Sequence, residues 1–239
     1  MMAQDSTSDL QEFGPDIWTV EGGLVRDTGM WFTTRMTVVK LSDGSVWLDS
    51  PVPVPFTTLN NIVELGPVRY LIAATPRHAW RLASWHTLFP DAQLWSSRIT
   101  PMTLKKATLP LSGILGDQIP QGWADDIDQL VFRGNPLLDE VVFFHKKSHT
   151  AILDDLIQIH SRVKGKPLHN ALVKLGGVES PHGGVARDIR ASFINRNLAR
   201  ESLAKLLSWD FDKLVIAHGP CIEKDAKPFV ERAFRWLKH

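Results

Sequence analysis

The sequence predicts a mixed α/β protein in which two β-sheets pack face to face with helices on the outside. Three observations lead there. An antiparallel hairpin opens the chain, β-α-β units follow it, and a second hairpin in mid-chain is followed by helices and a last strand. Each β-rich half therefore brings its own helices, as a sheet covered on one face requires.

Taken in order, "DIWTVEG" (16–22) reads as a first strand. "RMTVVKLSDGSVWLDSP" (35–51) is two β-rich runs around Ser42-Asp43-Gly44, a hairpin signal. "PFTTLNNIVELG" (55–66) has helical spacing and stops at Gly66, and "PVRYLIAA" (67–74) is a short apolar run of the kind buried in a parallel sheet. "AWRLASWHTLF" (79–89) reads as a helix with Ala79, Leu82, Ala83 and His86 on one face, ending before Pro90. "AQLWSS" (92–97) is a strand, and 98–127 reads mostly as loop with a short helix. "DQLVFRG" (128–134) is a strand, and "EVVFFHKKSHTAILDD" (140–155) is a hairpin turning at Lys146-Lys147. The spacing predicts helix over 156–176, loop over 176–184, helix over 199–211, strand over 213–219 and an amphipathic helix over 227–239. Residues 1–13 read as a flexible start and 14–239 as one domain.

Composition excludes several classes. Lys+Arg 27 against Asp+Glu 26 leaves a formal charge of +1, without the clustered basic face that nucleic-acid binding needs. Lys105-Lys106 reads as solvated surface. A single cysteine, Cys221, permits no internal disulfide and reads as a small buried residue. The polar, acidic start is unlike a signal peptide, and no apolar run reaches the roughly 18 residues of a membrane span. The expectation is a soluble, cytoplasmic protein that takes a small-molecule ligand or substrate and neither nucleic acid nor membrane. Nine tryptophans against one tyrosine suggest large side chains filling a sandwich core. There is no G-x-S-x-G elbow, phosphate loop, G-x-G-x-x-G or C-x-x-C.

Five short motifs fall at strand ends, where loops gather into a common site: "VWLDSP" (46–51), "TPRHAWR" (75–81), "RGNP" (133–136), "ILDDL" (152–156) and "IAHGP" (216–220). In order and spacing they resemble the metallo-β-lactamase superfamily, and in particular an uncharacterised branch of it, through "RMTVVKLSDGSVWLDSPV", "LGPVRYLIA", "WHTLFPDAQLW", "EVVFFHKKSHTAILDDLIQ" and "WDFDKLVIAHG". The resemblance implies a four-layer αββα sandwich holding metal at those strand ends. It places Thr75 and His78 in a Thr-His-x-His-x-Asp-His motif whose other positions hold Pro76, Trp80 and Arg81. Asn135 follows Gly134 where a histidine is expected, Asp155 matches a bridging aspartate with Asp154 in a usual glycine's place, His218 matches the last histidine, and Asp49 matches an aspartate that steadies the first loop.

That residue set implies a depleted ligand set. His78, Asp155 and His218 are too few for two ions but equal a mononuclear catalytic site of two histidines and a carboxylate. The expected cofactor is one divalent ion (zinc, iron or manganese), with no two-metal centre. Arg81 cannot ligate metal and attracts anions. It is expected beside Asp155, holding a substrate anion, with Trp80 at the rim. Asn135 and His182 are candidate ligand-binding residues. The implied activity is a hydrolase on an ester, lactone, thioester or phosphoester; the alternative is a non-catalytic member binding a small ligand or partner. Each residue also has a plainer reading. His78 is then a hydrogen-bonded loop residue, Asp155 the cap of a helix starting near Leu156, His218 part of a turn, His182 a surface loop residue, and His145 and His149 solvent-facing at their hairpin.

Overall fold

The computed structural model describes residues 9–27, 29–100, 109–138 and 140–238. Alternating and fully apolar runs build a seven-stranded sheet. Its members are β1 (Leu10–Gly14), β2 (Ile17–Glu21), β5 (Arg35–Lys40), β6 (Val46–Asp49), β7 (Val68–Ala73), β8 (Gln93–Ser96) and β9 (Leu111–Ile114), in the order β1-β2-β5-β6-β7-β8-β9. The half from β1 to β6 is antiparallel, and β6 to β9 run parallel. A parallel neighbour needs a crossover. Helix α1 (Phe56–Leu65) supplies the one from β6 to β7; a 3-10 turn over Pro76–Arg81 and helix α2 (Leu82–Leu88) supply the next. Gly66 closes α1 at φ 152°, where an added Cβ would stand 2.0 Å from the Gly44 carbonyl oxygen, so only glycine fits.

The second sheet has four strands, β10 (Ile127–Val131), β11 (Val141–His145), β12 (Thr150–Leu153) and β13 (Lys213–Ile216), in that order, with β12 and β13 parallel. Between β12 and β13 lie α3 (Pro167–Gly176), α4 (Arg187–Ala191) and α5 (Arg196–Ser208); α6 (Ala226–Ala233) follows β13. Three apolar layers result. Ile62, Leu82 and Trp85 pack the first helices on the first sheet. Trp47, Ile72, Phe143, Ile152 and Val215 fill the space between the sheets. Ala199, Leu206, Val230 and Phe234 pack the last helices on the second sheet. This is the αββα sandwich expected. A small ribbon of β3 (Val25–Asp27) and β4 (Met30–Phe32) stands beside it, with α3 packed on β4.

Several expectations are corrected. The boundary at residue 14 falls inside the sheet, because Leu10–Gly14 pairs with β2 as its edge strand. The predicted helix over 156–176 starts only at Pro167. Leu156–His160 instead runs extended, with Gln158 bridged to Gly184 and His160 to Glu179, so Asp155 caps no helix. The buried face after the 3-10 turn is Ala79, Leu82 and Trp85, with Ala83 exposed, because the turn is wound more tightly than an α-helix and shifts the register. β9, and the β3–β4 ribbon, went unpredicted. His145 is 1% exposed rather than solvent-facing, while His149 is exposed. Lys105-Lys106 lies outside the described residues. No helix among those described is long and apolar enough to cross a membrane.

Candidate metal centre

The C-terminal ends of β6, β7, β12 and β13 open on one edge of the sandwich, where four loops meet. His78 comes from the 3-10 turn after β7, Asp155 from the loop after β12 and His218 from the loop after β13. All three are buried, and their ligand atoms lie within 4.8 Å of one another. Asp155 Oδ1 is 3.1 Å from His218 Nε2 and 3.5 Å from His78 Nε2.

The atoms behind this triangle fix which nitrogens carry protons. His218 Nδ1 is 2.7 Å from the Thr33 carbonyl oxygen, which can only accept. Nδ1 is therefore the donor, and a neutral His218 turns a bare Nε2 toward Asp155. At His78, Nδ1 lies 2.6 Å from Ser50 Oγ and 3.0 Å from Asp154 Oδ2, while Ser50 Oγ donates its one proton to Asp154 Oδ2 at 2.6 Å. Nδ1 must again be the donor, so in the neutral ring Nε2 is the bare nitrogen. Asp155 Oδ2 accepts from Thr75 Oγ1 at 2.7 Å, so Oδ1 is the oxygen left for the triangle. With both imidazoles neutral, three lone pairs would face one another in a buried space, which requires a cation or an added proton between them.

Buried carboxyls surround the site, and their shifts follow from burial and neighbours. Burial acts against the charged form of Asp155, but His78 and His218 outweigh it and hold the carboxyl well below the usual range. Burial also opposes protonation of His78; Asp154 and Asp155 overcome it and push the imidazole well above its usual value. Glu140, fully buried, accepts from the backbone N–H of Asp154, Asp155 and Leu156 at 2.7, 2.9 and 2.8 Å, and so fixes the Asp155 loop. Burial and the charges of Asp154 and Asp155 push its carboxyl well above the usual range. Gly219 holds the His218 loop against Leu156–His160: at φ 125°, its missing Cβ would stand 2.1 Å from the Ile159 carbonyl oxygen. Arg35 ties the same loop down by donating to the carbonyls of Ile216 and Gly219.

The other predicted residues are placed differently. Trp80 is 46% exposed and lines a cleft of about 410 Å³ that also reaches Ser50, His78, Asp155 and His218. Arg81 does not pair with Asp155. Its guanidinium lies 4.1 Å from the Trp80 ring centroid and it does not line the cleft; the two histidines already balance Asp155, and the aromatic face is the alternative partner. Asn135 braces its own loop, donating to Ser192 Oγ and accepting from the N–H of Leu137 and Leu138. It lines a second chamber that shares Asp155 with the cleft. His182 is exposed and lines neither. Asp49 is fully buried but makes no hydrogen bond to the first loop; burial, then the neighbouring Asp154, push its carboxyl well above the usual range. Its neighbour Ser50 reaches that loop instead. Cys221 is half-buried, and burial pushes its thiol up. Ser50, Thr33 and Glu140 were not singled out from sequence. Ser50 adopts φ 56°, a conformation unusual for a non-glycine residue that leaves no trace in sequence.

Residues 16–167 match the family model described as a domain of unknown function, DUF4336. The chain belongs to the DUF4336 family. No curated protein matches its sequence. Among solved structures it is similar to a metal-soaked Flv1 flavodiiron core from Synechocystis sp. PCC6803, at 13% identity and TM-score 0.64, covering 96% of this chain and 61% of that one. The chain thus spans about three fifths of that flavodiiron core. A metallo-β-lactamase from Erythrobacter litoralis matches at 10% identity and TM-score 0.62 (100% and 95% of the chains), and one from Pontibacter korlensis at 9% and 0.61 (97% and 99%). This DUF4336 chain therefore has the metallo-β-lactamase fold.

Proposed function

We propose that the protein is a hydrolase-like member of this fold with a reduced, single-ion metal site, acting on an ester, lactone, thioester or phosphoester. The observation that carries the reading is the meeting of His78 Nε2, His218 Nε2 and Asp155 Oδ1 in one buried triangle. Two imidazoles and a carboxylate are the donor set of a mononuclear catalytic zinc site, which keeps a further position open. Their outer partners also fit, since metal-binding histidines donate their other N–H to a carbonyl or carboxylate. Thr33 plays that part for His218, and Ser50 with Asp154 for His78.

A bound divalent cation would supply Lewis acidity and an acidified water. The protein's own residues do the rest. Thr75 and Glu140 hold Asp155 in place, so its Oδ1 faces the two imidazoles whichever ligand enters. The cleft admits the reacting group on the side of Ser50 and His218, and Trp80 forms its outer wall. Pro76, Trp80, Arg81 and Asn135 offer no imidazole or carboxylate, which supports one ion rather than two.

The alternative is a non-catalytic pocket. It draws on His78, whose imidazole is held well above its usual range between Asp154 and Asp155; a protonated His78 could satisfy Asp155 without metal. Elemental analysis of protein purified without chelator separates the two. We expect close to one equivalent of zinc, iron or manganese per chain, lost in His218→Ala. Two equivalents overturn the single-ion reading. A metal-free chain that gains none on dialysis against zinc supports the non-catalytic pocket.

A further inference from the structure

Asp155 belongs to two chambers. The cleft of about 410 Å³ approaches it from the β3–β4 ribbon, and a second chamber of about 580 Å³ approaches from α3 and α4. Both fall in the size range of small-molecule sites, roughly 300–1,000 Å³. Phe32, Arg77 and Asp155 line both and so form the wall between them.

Beyond the shared wall the two chambers present different side chains. Arg26 and Arg77, both exposed, stand over the first. Arg77 makes a pair with Asp27 at 3.4 Å in which both side chains are more than half exposed, so it is weak and readily exchanged. Arg26 has no ion-pair partner among the described residues. The second chamber brings the aliphatic side chains of Met30, Leu138, Leu172, Leu175 and Ile189 together with the polar ones of Gln158, Arg187, Asp188 and Ser192. Leu175 is 64% exposed within it. Apolar surface left open next to a polar centre marks a seat for an apolar ligand group.

We infer that the protein binds an anionic amphiphile, with its carboxylate or phosphate against Arg26 and Arg77 and its apolar acyl arm in the chamber between α3 and α4. The group joining the two halves then crosses Asp155. This deepens the proposed function by naming a substrate class, and it rests on that reading for the reaction but not for the binding. Arg77 fixes the head and the leucine wall selects the length of the arm.

Binding of hexanoate, octanoate and decanoate, each below its micelle concentration, tests this by calorimetry on the full chain. Burial of a methylene contributes about 0.8 kcal/mol, so the expected Kd falls by about fourfold per added carbon. Leu175→Glu places a charge in the arm's seat at an exposed position, and should flatten the chain-length dependence. Arg77→Gln should weaken all three ligands by a similar factor and leave that dependence intact. A wild-type Kd independent of chain length overturns the inference. So does a dependence that survives unchanged in Leu175→Glu, which would place the apolar contact elsewhere. Metal content of the same samples is read in parallel. If it is zero, and stays zero after dialysis against zinc, while the chain-length dependence holds, the single-ion reading fails and the amphiphile site stands.

Discussion

Ser50 shows how much of this site depends on one side chain. Its backbone sits at φ 56°, a left-handed conformation that costs a non-glycine residue about 1–2 kcal/mol. Its Oγ accepts from His78 and donates to Asp154, which aims His78 Nε2 at Asp155. Ser50→Gly would relieve the backbone but remove both bonds; Ser50→Ala removes the bonds alone. Outer-shell partners of metal ligands are typically worth 10–100-fold in affinity. Ser50→Ala is therefore expected to weaken zinc binding by roughly that factor, with the folded state retained. Competition titration against a chromophoric chelator measures it, and unchanged affinity would show that Ser50 does not orient His78.

At the scale of elements, the β11–β12 hairpin carries a second buried imidazole. His145 ends β11 with Nδ1 on Ser148 Oγ at 2.7 Å and with Nε2 buried and unpartnered. Burial pulls its pKa down from 6.5 to about 4, against the weaker influence of Asp126 and Asp16. Between those values the unfolded chain binds a proton that the folded chain does not, so stability falls as the pH drops from 6.5 toward 4. The difference amounts to about 3 kcal/mol at the acid end. Thermal melts of His145→Leu should lack this part of the acid loss, and a variant that loses stability as steeply as wild type would contradict the assignment. The hairpin was legible from sequence as two β-rich runs around Lys146-Lys147, but the burial of His145 was not, because it depends on how the turn folds over Ser148. The same division holds around the metal centre. His78, Asp155 and His218 stood out through their motif positions, since each follows a readable strand. Glu140 did not: its role is to accept three backbone N–H groups across the sheet, and no spacing encodes that. The stretch 156–166 misled because its apolar spacing suits a helix, whereas Gln158 and His160 bridge it to 179–184 and Gly219 packs its Cα against Ile159.

Across the whole molecule, the sandwich brings four strand ends to one edge and makes a site from residues far apart in sequence. His78 and His218 enter from different sheets, and Asp155 lies between them. The two sheets are joined by the apolar layer around Trp47 and Phe143, so the triangle holds its shape only while that layer is packed. A bound ion that the unfolded chain does not hold would then stabilise the whole fold by mass action. The fold places the cluster, and its two imidazoles and one carboxylate match the donor set of a single-ion site. The most direct test is a crystal of the protein soaked with zinc and measured at the zinc absorption edge. The account predicts one anomalous peak per chain, touching His78 Nε2, His218 Nε2 and Asp155 Oδ1. Two peaks at the strand-end edge, or none there while His78 and His218 remain closed on Asp155 at saturating zinc, would contradict it.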